Sequence, residues 1–177
     1  GRAEAELART REDRGNGILM IKCVHGTLRE GVLNDGRNQC DAGRRGDYAT
    51  RAHAEDAGLD LYTPKEFVLH TLDELNQSKV IDTGVHVETP KGFVGMIKSK
   101  SGLNTYSGIM CEGVIDAGYT GSIRVKLYNH GVVCRWFRRG DKIAQLVILP
   151  IVTPALKLVD KFAETERGDN GFGSTGR

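Results

Sequence analysis

Two stretches of this 177-residue chain carry residue types suited to chemistry. The first centres on Asp116, in Asp116-Ala117-Gly118, a turn between two strand patterns. A carboxylate on such a turn can accept a proton from an attacking water. Asp-Ala-Gly is also an ordinary turn sequence, so the residues alone leave both readings open. The second is the tail at 167–177, RGDNGFGSTGR, rich in Gly, Ser and Thr around a single phenylalanine, Phe172. Such a tail cannot pack a core and reads either as a frayed end or as a flap over a ligand. Glycines let a backbone approach phosphate oxygens, hydroxyls and amides donate to them, and a phenyl ring stacks on a base. Arg44 and Arg45 could form an anion site, but their polar surroundings favour a solvated loop. Cys23, Cys40, Cys111 and Cys134 form no CxxC pair and have no His cluster beside them. This argues against zinc and a disulfide framework, and for reduced thiols in a cytosol-like, hence cytoplasmic, setting.

These candidates need a scaffold, and the sequence describes an all-β one. The 39% hydrophobic and 27% charged composition is that of an ordinary globular domain. A net charge of +2 gives no basis for stable nucleic-acid binding. No apolar run is long enough to span a bilayer, so no membrane association is expected. Residues 1–19 are polar and read as an N-terminal extension with a possible short helix, and Met20 could be a natural start. The segment 34–47 is rich in Gly, Asn, Asp and Arg and reads as a loop insertion in a domain spanning 20–166. From Ala57 onward the pattern is strand after strand. VHVE at 85–88 and SIRVKLY at 122–128 alternate with period two, predicting half-buried strands. LVILPIV at 146–152 is continuously apolar and predicts a strand buried on both faces. Turns are signalled at 90–92, 129–131 and 139–141, no long helix is predicted, and 73–79 is either one helical turn or a loop. Many short strands in one domain predict a sandwich or jelly roll.

Five segments in order then complete a pattern: DAGLDL (56–61), SKSGL (99–103), GVIDAGYTG (113–121), RGDKIAQ (139–145) and RGDNGFGSTG (167–176). Together they resemble the five motifs of the trimeric deoxyuridine triphosphatases, over about residues 50–177. The resemblance implies a jelly-roll-like (β-clip) subunit in a closed homotrimer, each site drawing on all three chains. The flexible C-terminal arm, 167–177, then closes over a neighbour's site. The implied reaction is hydrolysis of dUTP to dUMP and diphosphate, which keeps uracil out of DNA and supplies dUMP for thymidylate synthesis. Asp116 would be the catalytic base, and the Tyr119 ring would pack where a ribose carries its 2′-hydroxyl, excluding UTP. Gly113, Val114 and Ile115 would read uracil largely through backbone groups. Lys100, Ser101, Gly102 and Gln145 would meet the phosphates, Ser101 at the oxygen bridging the α- and β-phosphates. Arg167 would reach the terminal phosphate, Phe172 would cap the base, and Gly173, Ser174 and Thr175 would grip the outer phosphates. Mg2+ would be bound mainly through the substrate phosphates, with Asp60 an outer-shell contact through water.

The chain departs from the family pattern in four places. Lys100 stands where arginine is commoner, keeping the charge but losing the bidentate fork. The 107–112 stretch is short and lacks the family's substrate-contacting asparagine, with Glu112 in its neighbourhood. The 34–47 loop is inserted, and Ala49 stands where proline is usual. Two alternatives compete. A dCTP deaminase shares the fold but needs a glutamate where this chain has Lys126, and lysine cannot perform that proton transfer. A non-catalytic regulatory trimer would have little reason to keep Asp116, Tyr119 and the complete tail.

Overall fold

The computed structural model describes residues 19–23, 49–71, 77–165 and 168. Of the expected extension at 1–19 only Leu19 is among them, and it packs against the core; the 34–47 loop and most of the terminal arm lie outside them. Among the described residues ten strands follow in order: β1 (Met20–Cys23), β2 (Gly58–Tyr62), β3 (Phe67–Leu69), β4 (Ser78–Glu88), β5 (Phe93–Ser99), β6 (Ile109–Met110), β7 (Glu112–Ile115), β8 (Ser122–Asn129), β9 (Arg135–Phe137) and β10 (Lys142–Pro150). A short helix, α1 (Ser101–Ser107), lies between β5 and β6. Two four-stranded sheets carry the molecule, ordered β1-β4-β8-β6 and β2-β10-β5-β7, beside a β3-β9 pair. All pairings are antiparallel. The all-β, jelly-roll-like expectation holds.

The period-two reading is carried through in β8, where Ile123, Val125 and Leu127 are buried while Arg124, Lys126 and Tyr128 point outward. Val85 and Val87 of β4 are buried in the same way. These side chains meet Leu59, Leu61, Ile97, Ile143 and Leu146 of the opposite sheet in one continuous core. A Leu, Ile or Val fully buried there contributes about 1.5–3 kcal/mol, so this core holds the sheets together.

One expectation fails. The 146–152 run is not buried on both faces: β10 ends at Pro150, Leu149 is half-exposed and Val152 is 90% exposed. Apolar character marks a strand that seeks cover, but it does not say whether the cover comes from the same chain. Beyond β10, residues 151–165 run without regular structure, and Leu156, Leu158 and Phe162 are almost fully exposed. Helix α1 was not anticipated either. Its sequence, SGLNTYS, is poor in helix formers. It is closed by Gly108 in the left-handed conformation, whose amide donates to the carbonyls of Asn104 and Leu103.

Candidate active site

The site residues fall into two groups on the outer face of the β2-β10-β5-β7 sheet. The register places Asp60 opposite Gln145, Gln145 opposite Lys98, and Lys98 opposite Glu112. One polar row thus crosses all four strands. At its β2 end Asp60 is almost fully buried, with Lys100 Nζ 2.6 Å from Oδ1 and Lys142 Nζ 2.6 Å from Oδ2. Burial pushes the Asp60 carboxyl up, but the hydrogen bonds and charges of the two lysines together outweigh it. They hold the carboxyl below its ordinary range.

A β-bulge explains how Lys142 joins this face. Tyr62 pairs with Lys142 and Leu61 with Ala144, so Ile143 is an extra residue in β10. Had β10 kept strict alternation through Ile143, Lys142 would fall on the other side of the sheet. Gln145 is anchored by donating from Nε2 to the Ser99 carbonyl at 3.0 Å. It lies over Gly58, where a Cβ would collide with its Oε1, so glycine makes the space for the amide. Ser101 and Gly102 open α1 and are solvent-exposed. The first intrahelical bond runs from the Asn104 amide to the Lys100 carbonyl, so the amides of 101–103 precede it and have no helical acceptor. At the end of the row, Lys98 pairs with Glu112.

The second group surrounds Asp116. It sits between β7 and β8, exposed, and its carbonyl accepts the Tyr119 amide at 3.1 Å to close the turn, with Gly118 at φ +89°. Tyr119 lies back over Gly121, where a Cβ would strike its ring, and its hydroxyl donates to the Ser122 carbonyl at 3.0 Å. Val114, Ile115, Asp116, Tyr119 and Arg124 line a pocket of about 220 Å³. A roomier cleft, of about 640 Å³, lies across β4 between Thr63 and Ser122 and touches none of the expected site residues. Strand β7, which carries Gly113, Val114 and Ile115, is the edge of its sheet, so one row of its backbone groups has no ladder partner in that sheet.

The two groups do not meet within one chain. Asp116 lies four residues beyond Glu112 and two strands away from Gln145, which puts them roughly 15 Å apart at standard strand spacings. Between them lies an apolar row, Val114, Met96 and Val147, with Val114 58% exposed. Arg167, Phe172, Gly173, Ser174 and Thr175 lie outside the described residues. Lys142, Gly58 and Arg124 were missed by sequence reasoning. Lys142 stands inside a quoted motif, but its role depends on a bulge that no residue type announces. Lys126, which decided against a deaminase, lies outward on β8 with its ammonium 5.0 Å from the Tyr128 ring centroid.

Among the described residues no three His, Cys, Asp or Glu side chains come together to hold a metal. Asp60 has each oxygen taken by an ammonium. This donor set suits a cation whose ligands come from phosphate and water, and does not suit direct coordination by the protein. Also among the described residues, no helix is long and apolar enough to cross a membrane.

Comparison with known proteins gives a consistent picture. The dUTPase family model matches residues 44–176. A deoxyuridine 5'-triphosphate nucleotidohydrolase of Clostridium kluyveri is 40% identical over 128 residues, covering 71% of this chain and 87% of that protein. The probable enzyme of the same name from Schizosaccharomyces pombe is 39% identical, covering 72% and 89%. Among solved structures, a mutant dUTPase of Staphylococcus bacteriophage 80alpha with dUpNHpp superposes with a TM-score of 0.70 at 28% identity, covering 90% of this chain and 99% of that one. A mutant dUTPase from phage phi11 of S. aureus, described as coordinating a structural Mg(II) ion, reaches a TM-score of 0.63 at 26% identity, covering 83% and 99%.

Proposed function

The chain belongs to the dUTPase family and is a dUTP diphosphatase, and we propose that it hydrolyses dUTP at sites assembled between copies of itself. The observation that carries this reading is the separation of the two residue groups. A base and the phosphate-holding groups must act on one phosphorus within a few ångströms, and roughly 15 Å of intervening sheet forbids that in a single chain. Bringing the Asp116 pocket of one copy against the Asp60 row of another removes the conflict. The exposed Val114 row and the apolar segment at 151–165 supply surface for such contacts, in favour of a homotrimer whose arms cross between subunits.

In this assembly the nucleoside enters the pocket of Val114, Ile115, Asp116 and Tyr119. Uracil is read by the sheet-edge backbone of Gly113, Val114 and Ile115, and the Tyr119 ring leaves no room for a 2′-hydroxyl. Asp116 orients a water in line with the α-phosphorus and takes its proton as the new P–O bond forms. The bond from the α-phosphorus to the bridging oxygen breaks, and diphosphate leaves. Lys100, Ser101, Gly102 and Gln145 of a neighbouring copy hold the phosphates, with Ser101 donating where charge grows on the bridging oxygen. Arg167, Phe172, Gly173, Ser174 and Thr175 are assigned to the closing arm. Bound through the phosphates, with Asp60 facing its water shell, Mg2+ would neutralise phosphate charge. We place the domain at 20–166, with an extension before it and the arm after it.

The test is pyrophosphate release from dUTP, UTP, dTTP and dCTP with magnesium, by the full chain and by Asp116→Asn. The expected result is turnover of dUTP alone, with kcat falling by about 10²–10⁴ in the variant. An unimpaired Asp116→Asn enzyme would remove Asp116 from the chemistry.

A further inference from the structure

Strand β4 breaks its pairing with β8 between Asp82 and His86. The break sits behind the β8 wall of the Asp116 pocket, and four side-chain contacts from β4 cross to β8 and the turn before it. Ser122 Oγ donates to Asp82 Oδ1, and Arg124 Nε lies 3.6 Å from Asp82 Oδ2. Thr83 Oγ1, buried, donates to the Ile123 carbonyl at 2.8 Å. His86 Nδ1 lies 2.8 Å from the Thr120 carbonyl, and so carries the proton it donates. The same Asp82 Oδ1 accepts the Gly84 amide at 3.1 Å, and Gly84 stands at φ +68°, a conformation glycine adopts without strain.

Taking the pocket as the nucleoside site, as proposed above, we infer that Asp82 is a positioning residue for substrate binding. Its carboxylate ties the irregular segment of β4 to Ser122 and Arg124, fixing the strand that faces Asp116 and Tyr119. Ordinary ladder hydrogen bonds are interrupted here, so side chains must set the register that the ladder sets elsewhere. Arg124 lines the pocket itself, and Tyr119 hangs its hydroxyl on the Ser122 carbonyl. Both walls therefore lead back to one carboxylate. Asp82 lines the neighbouring cleft and not the Asp116 pocket, so it acts through Ser122 and Arg124 on how well the nucleoside fits, not on the bond-breaking step.

Steady-state kinetics on dUTP with the full chain separate this from a merely structural role. Asp82→Ala should raise KM about tenfold with kcat within about threefold of the parent. Asp82→Asn keeps an acceptor for Ser122 and Gly84 and loses only the charge facing Arg124, so its KM should fall between the two. Ser122→Ala, a milder change should Asp82→Ala fold poorly, should raise KM about threefold. An unchanged KM in Ser122→Ala or in a folded Asp82→Ala, or a fall in kcat at constant KM, overturns the inference. Tyr119→Ala is run alongside. If it weakens dUTP binding while the Asp82 variants do not, the tie is wrong and the nucleoside pocket stands. If neither matters, the pocket itself is misassigned.

Discussion

Asp60 shows how a single buried carboxylate can be kept charged by its neighbours. Removing that charge in Asp60→Asn takes one anionic partner from both Lys100 and Lys142 and should cost about 2 kcal/mol at neutral pH, given that the lysines are partly solvated. The folded-state pKa is lowered, so the contribution is present above the unfolded value of about 3.9. It disappears as pH falls through the folded value. Urea unfolding of parent and variant should therefore differ at pH 7 and converge in strong acid; a constant difference would show that the carboxylate acts by shape alone. At this scale the sequence was partly legible. Asp116 and Tyr119 stand in a motif whose spacing forces them onto one turn. The pairing of Asp60 with Lys100 joins residues 40 apart, and only the folded chain reveals it.

Among the elements, the strands with one buried face were readable because alternation is written in residue type, as β8 demonstrates. The β10 bulge and helix α1 were not, because each depends on backbone partners instead of composition. The misreading of 146–152 has a related cause: hydrophobicity measures the need for cover and is silent on its source. The proposed closing arm carries the sharpest expected effect. A chain ending at residue 165 should fold with unchanged far-ultraviolet circular dichroism yet lose nearly all dUTP turnover, since Arg167, Phe172, Ser174 and Thr175 would be gone. Full activity in that truncated chain would confine the site to the β-domain.

For the whole molecule, the proposed division of the site between two regions of the sheet can be read by mixing subunits. Asp116→Asn and Gln145→Ala chains should each be nearly inactive alone. Unfolded together and reassembled, they should regain activity, because about a quarter of random sites would combine an intact Asp116 with an intact Gln145. No recovery in mixed assemblies would mean that both residues serve one chain. The subunit fold was legible in the sequence because it depends on strands and turns, each specified locally. The proposed assembly rests on family likeness, since exposed apolar residues such as Leu156 and Leu158 become informative only once the fold shows them uncovered.

The edge position of β7 bears on how such an enzyme can evolve. If uracil is read by main-chain groups of 113–115, then point mutation has little to work on: changing a side chain leaves the amide and carbonyl where they were. Descendants of this chain could lose the substrate easily but could retarget it only by altering the length or path of the hairpin. Insertions and deletions, far rarer than substitutions, would then be the route to a new base, and fidelity to uracil would be inherited with the fold.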